Sequence, residues 1–103
     1  MNAPLPSSSF RAAIVGHISI RDPDKWACYV AGVPATLAPW DAEVVMRGER
    51  QLALNGTQQG THLVVIRFRD LATVEAWYRS DLYQALIPLR DEAADVVLAA
   101  YAI

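Results

Sequence analysis

Gly60-Thr61-His62-Leu63-Val64-Val65-Ile66-Arg67-Phe68-Arg69-Asp70-Leu71-Ala72-Thr73-Val74-Glu75-Ala76-Trp77-Tyr78 decides the fold, because within nineteen residues the apolar pattern passes from a strand's to a helix's. Thr61 to Phe68 reads as a strand, and His62 to Ile66 is too continuously apolar for either face to lie in water, so this strand belongs in the middle of a sheet. Asp70 then offers a carboxylate to the free amides of a helix that starts at Leu71 and turns Val74, Trp77 and Tyr78 inward. Ser80 can cap a further turn running through Leu82, Leu86 and Leu89, with a bend at Pro88.

Upstream of that stretch, Ala42 to Arg47 alternates weakly and ends at Gly48, and Gln51 to Leu54 is expected to extend the same strand to the turn signal Asn55-Gly56. Ala13 to Ile20 is the first strand, with Ile14, Gly16, Ile18 and Ile20 on one face and Ala13, Val15, His17 and Ser19 on the other. Asp22-Pro23-Asp24 starts a helix whose apolar stripe is Trp26, Tyr29, Val30, Val33 and Leu37; Pro34 should kink or restart it. Downstream, Val96 to Tyr101 is the last β-prone run. The order is βαββαβ, an α+β domain over residues 11–103, with residues 1–10 read as a flexible tail.

Right-handed crossovers put both helices on one face of a four-stranded antiparallel sheet and leave the other face bare. Val15, Val45, Leu63, Val65 and Val97 are expected there, a patch that a monomer rarely leaves in water. With no third helix to cover it, a second copy packed face to face is the expected partner, giving a homodimer through the open sheet face.

Composition excludes several classes. Among 103 residues at a formal net charge of -2, lysine occurs once, as Lys25, and the arginines are scattered from Arg11 to Arg90, so no basic run can track a nucleic-acid backbone. Arg67, Arg69 and Asp70 interrupt the longest apolar segment, which argues against a membrane span of about 20 residues. The single Cys28 cannot form an intrachain disulfide and the first ten residues lack an unbroken apolar stretch, so a cytoplasmic location is expected. Cys28, without a basic partner beyond Lys25, reads as a small buried hydrophobe.

Glu75-Ala76-Trp77-Tyr78-Arg79-Ser80-Asp81-Leu82-Tyr83-Gln84-Ala85-Leu86, closing with Pro88-Leu89-Arg90, resembles the bacterial family called domain of unknown function 1330. Asp22-Pro23, Tyr29, Val33-Pro34-Ala35-Thr36-Leu37, Arg47-Gly48 and Val64-Val65-Ile66-Arg67-Phe68 agree with it in type and order. The resemblance implies a ferredoxin-like dimeric α/β barrel, in a superfamily that includes cofactor-free monooxygenases, isomerases, haem-degrading enzymes and stress-response proteins, so the fold alone does not fix an activity. Members usually carry a glutamate where Arg67 stands and a glycine pair near Trp40-Asp41. If that glutamate transfers a proton in the family, its charge is reversed here.

His17, Arg47 and Arg67 are the polar residues expected on the bare face. They form a candidate acid/base or anion-gripping cluster, with His17 and Arg67 as the catalytic pair; the competing reading has Arg67 and Arg47 pairing with Glu43, Asp41 or the partner chain. Trp77, Tyr78, Tyr83, Trp26 and Tyr29 are candidate lining for a pocket between helices and sheet, although aromatics at helical spacing are ordinarily core. Tyr29, Arg47, Trp77, Tyr83 and Arg90 are the ligand-binding candidates, with a salt bridge from Arg90 to Asp22 or Asp91 as its structural alternative. Ser80 reads as a helix cap. His17 and His62 lack metal-site spacing, and Gly48, Gly56 and Gly60 form no phosphate cradle, so neither a metal nor a cofactor is expected. These features point to a homodimeric small-molecule-binding barrel, with cofactor-free acid/base catalysis on a small anionic or aromatic metabolite as its enzymatic form. The alternative is a non-catalytic dimer serving as ligand sensor or accessory protein.

Overall fold

Residues 9–103 are described by the structure, a computed structural model. In chain order they form β1 (Ala12–Ile20), α1 (Pro23–Leu37), a 3-10 turn (Ala38–Trp40), β2 (Glu43–Glu49), β3 (His62–Phe68), α2 (Leu71–Arg79), α3 (Asp81–Gln84), α4 (Ile87–Ala93) and β4 (Ala94–Ala102). The four strands make one antiparallel sheet in the order β2-β3-β1-β4, the ferredoxin-like arrangement, with the continuously apolar β3 inside it. Of the expected tail, residues 1–8 lie outside the described residues. Phe10, the last residue of the expected tail, is buried, and the Arg67 guanidinium sits 4.1 Å above the centre of its ring.

The helix starts follow from local chemistry. Asp22 accepts from the Lys25 amide, Asp70 from Thr73 and Ser80 from Tyr83, each satisfying a first-turn N–H that has no intrahelical partner. Pro34 neither ends nor restarts α1; it removes one amide close to the C-terminus, and the helix runs on to Leu37, where the Ala38 N–H bonds the Pro34 carbonyl. The second helical segment is broken instead into α2, α3 and α4, with Pro88 in the first turn of the last. Tyr83 rather than Leu82 is the inward residue of α3, and Leu82 is exposed.

Ile14, Ile18, Val64, Ile66, Phe68, Val33, Leu37, Val74, Trp77 and Tyr83 are buried together between helices and sheet. Cys28 is exposed, a correction to its expected burial: it neighbours the inward Tyr29 and so falls roughly 100° round the helix, off the buried stripe.

The β2–β3 connection departs from a tight hairpin. Pairing stops where the Arg50 amide meets the Thr61 carbonyl, and Gln51 to Leu54 leaves the ladder, with Leu52 and Leu54 exposed to solvent. Gly60 fixes that endpoint. It adopts φ +61°, and the Thr61 amide beyond it donates to the Ile18 carbonyl; a Cβ on Gly60 would lie 2.5 Å from that same oxygen. Gly60→Ala therefore forces both left-handed strain and a backbone shift, with an expected loss of about 2 kcal/mol and a fall in Tm of ~10 °C in a thermal melt. Gly56→Ala, at φ +76° but in open space, should cost less than half as much.

On the side of the sheet away from the helices, Val15 stands opposite Val65 and Ala99, and His17 opposite Leu63 and Val97. Val45, Met46, Val97 and Tyr101 are each about half exposed, which leaves this face apolar and uncovered in a single chain.

Candidate functional site

A β-bulge redistributes the residues expected on the bare face. Val44 pairs with Ile66 and Met46 with Val65, so Val45 is the extra residue and the side-chain alternation shifts by one. Arg47 consequently faces Val64 on the helix side, which corrects its expected place beside His17. Arg67 stays on the bare side, where it is held by Glu43 at 3.1 Å and by the Phe10 ring. Arg67 is paired with Ala13 and His17 with Leu63, four positions apart along β1 and so about 13 Å from one another. The proposed cluster of His17, Arg47 and Arg67 is thus divided among three places, and the structure does not bring its catalytic pair together. Asp41 pairs with Arg69 instead, at 3.3 Å.

Between helices and sheet a different constellation forms. Arg90 is buried, and its Nη1 donates to the Tyr83 hydroxyl at 3.1 Å and to the Tyr78 hydroxyl at 3.4 Å, while its Nε donates to Asp91 Oδ1 at 3.1 Å. Tyr83 and Tyr29 share a buried O–H···O bond of 2.8 Å. Burial would lower the Arg90 pKa, but the hydrogen bonds to Tyr78 and Tyr83 and the neighbouring Asp91 more than reverse this, and the guanidinium stays charged. Burial, reinforced by Tyr83, raises the Tyr29 pKa well beyond the ordinary phenol range, so Tyr29 keeps its proton and cannot serve as a base near neutral pH. Arg47 lies near enough to interact with Tyr29, and burial of part of its side chain lowers its pKa. Of the two salt bridges considered for Arg90, the one to Asp91 is formed.

Trp77 and Tyr83, at 1 % and 0 % exposure, are core: their rings lie 4.1 Å apart, and Trp77 Nε1 donates to Thr36 Oγ1 at 3.0 Å. The residue that reaches open space is Tyr78. It lines a groove of about 260 Å3 between α2 and β4, walled by Ile14, Val74, Leu98, Ala99 and Ala100, with Glu75 and Arg79 at the helix side. Glu75 and Arg79 were not singled out by the sequence; their i, i+4 spacing on α2 beside Tyr78 is the signal that could have found them.

His17 occupies a second opening, on the other side of the sheet. This cleft of about 270 Å3 lies at the sheet's end beside the loop from Arg50 to Thr61. Among the described residues, no group of three or more His, Cys, Asp or Glu could hold a metal ion, and no helix is long and apolar enough to cross a membrane.

The chain is a ferredoxin-like α+β protein whose described residues form a groove on the helix side of the sheet and a cleft on the other. It belongs to the family described as Domain of unknown function (DUF1330), which matches residues 11–101. Among solved structures it is similar to RPA0582, a protein of unknown function from Rhodopseudomonas palustris (TM-score 0.77, 16% identity, 92% of this chain and 83% of that one). It is also similar to SnoaB, a cofactor-independent oxygenase from Streptomyces nogalater (TM-score 0.64, 10% identity, 91% and 93%), and to a dimeric ferredoxin-like protein of unknown function from Thermobifida fusca (0.65, 14%, 100% and 100%). No curated protein matches by sequence.

Proposed function

We propose that the chain forms a homodimer through its bare sheet face and that each copy binds a small planar molecule bearing an acceptor oxygen in the groove beside Tyr78. One observation carries this reading: Tyr78 lines a mostly apolar groove of about 260 Å3 while its oxygen accepts from the buried Arg90, which leaves the phenol's own proton without an acceptor among the described residues. A cation behind a phenol strengthens that donation, and the groove's low polarity raises its worth. A carbonyl, carboxylate or enolate oxygen on an aromatic body fits the arrangement. The dimer is supported by the exposed Val45, Met46, Val97 and Tyr101 and by the likeness to a dimeric ferredoxin-like protein. An enzymatic form of this reading draws on the fold shared with SnoaB, a cofactor-independent oxygenase. In that form Tyr78 stabilises a developing oxyanion, and since Tyr29 holds its proton, the base is supplied by substrate or solvent. Trp77, Tyr83 and Tyr29 hold the core and the network behind the site.

The test is a matched pair of probes, 1-naphthoate and naphthalene, titrated by calorimetry into the wild type and Tyr78→Phe. Losing one hydroxyl should weaken naphthoate about tenfold, from ~1.4 kcal/mol, and leave naphthalene unchanged. Equal naphthoate affinity in both proteins would sink the reading.

A further inference from the structure

Gly48, Leu63 and His17 form one row across β2, β3 and β1 on the bare side of the sheet. Gly48 leaves a gap at its end of the row: a Cβ there would meet only Met46 Cε, at 3.5 Å. The cleft of about 270 Å3 occupies this gap, over Met46 and Leu63 and against Leu52, which is 72 % exposed despite being apolar. The floor is therefore hydrophobic, and a ligand would cover apolar area that a single chain leaves in water.

An inventory of the polar wall shows which chemistry is left over. Glu49 faces His62 at 3.4 Å, the Thr61 hydroxyl bonds His62 Nδ1 at 2.7 Å, and Gln58 Nε2 donates to the Asn55 carbonyl at 2.9 Å. Arg50 spends Nη1 on the Gly60 carbonyl and has further N–H groups. His17 has no hydrogen bond or ion pair among the described residues, although it is half-buried. The cleft's one carboxylate is already opposed by an imidazole, whereas His17 and Arg50, with the Gln59 amide beside them, remain as donors. The missing partner is thus an acceptor, with an apolar body to lie on Leu63 and Met46.

We infer that this cleft is a second binding site, for a compact carboxylate with an apolar body, held by His17 and Arg50 and given its room by Gly48. The cleft lies on the opposite side of the sheet from Tyr78, so the two sites are separate. It opens on the face that the second copy is proposed to cover, and only its closure, not its donors or its floor, rests on that proposal.

Benzoate is the probe, with benzamide as its neutral counterpart, added to the full chain while the imidazole resonances of His17 and His62 are followed by NMR. Benzoate should bind saturably, shift the His17 ring, and outbind benzamide at least tenfold. His17→Ala should weaken benzoate tenfold or more. Gly48→Val, which adds bulk where only a flexible methionine end must move, should keep the wild-type melt and abolish the benzoate-induced shift at His17. Tyr78→Phe should leave the benzoate-induced shift of the His17 ring unchanged, which distinguishes failure of this site from failure of the groove. A benzoate-induced His17 shift that survives Gly48→Val, an equal His17 shift with benzamide, or no saturable shift at His17 would each overturn the assignment.

Discussion

Val15→Asp is expected to sediment as a monomer at micromolar concentration, and the wild type as the proposed dimer. Val15 stands opposite Val65 on one side and Ala99 on the other, at the middle of the face that carries no helix. In a face-to-face dimer each copy would bury a new carboxylate among valines; of the basic groups of its own chain on that face, His17 lies two positions along the strand, about 7 Å away, and Arg67, diagonally across on β3, is already engaged by Glu43 and the Phe10 ring. An uncompensated buried charge costs several kcal/mol, and two copies pay it at once, so dimer affinity should fall at least a thousandfold. The folded chain should survive, because the side chain points away from the core formed by Ile14 and Ile18 on the alternate positions. Velocity sedimentation reports the mass and circular dichroism the fold. A wild type that is already monomeric would remove the dimer, a variant that remains dimeric would move its interface off this face, and either result would take away the closure of the His17 cleft.

The strand-helix order was readable because each boundary has local chemistry of its own: Asp22, Asp70 and Ser80 cap the helices that follow them, and His62 to Ile66 declares an interior strand by having no polar face. The bare face could be counted for the same reason. The composition of the site was not readable, and one residue explains most of that. Val45 is inserted as a bulge, and nothing in Glu43-Val44-Val45-Met46-Arg47 marks which residue is extra, so strict alternation puts Arg47 on the wrong side of the sheet. The loop after Glu49 has a similar cause: Asn55-Gly56 is a genuine turn signal, but Gly60 docks on the Ile18 carbonyl and ends the pairing first. Tyr78 and Tyr83 are five residues apart, across the break at Ser80, and Tyr29 comes from another helix, so their convergence on Arg90 depends on tertiary packing that no spacing rule encodes.

Trp77→Ala should be the most damaging core substitution among the residues first considered for ligand binding. At 1 % exposure the indole packs against Phe68 at 5.4 Å and Tyr83 at 4.1 Å between ring centres, and its N–H donates to Thr36 Oγ1, whose own hydroxyl is spent on the Val33 carbonyl at 2.7 Å. Truncation removes the ring contacts, opens a cavity and leaves a buried oxygen without its donor; the expected loss is 3–5 kcal/mol, about 15–30 °C in Tm for a domain of this length. Trp77→Phe separates packing from hydrogen bonding. It keeps most of the apolar volume and loses only the N–H, so the cost should fall to about 1–2 kcal/mol. Naphthoate affinity should stay within about twofold of wild type in Trp77→Phe, because the indole does not line the groove where Tyr78 does. A tenfold loss of affinity in Trp77→Phe with an unchanged melt would mean that Trp77 touches the ligand, and the groove would then have to extend beneath α2 into what is now solid core.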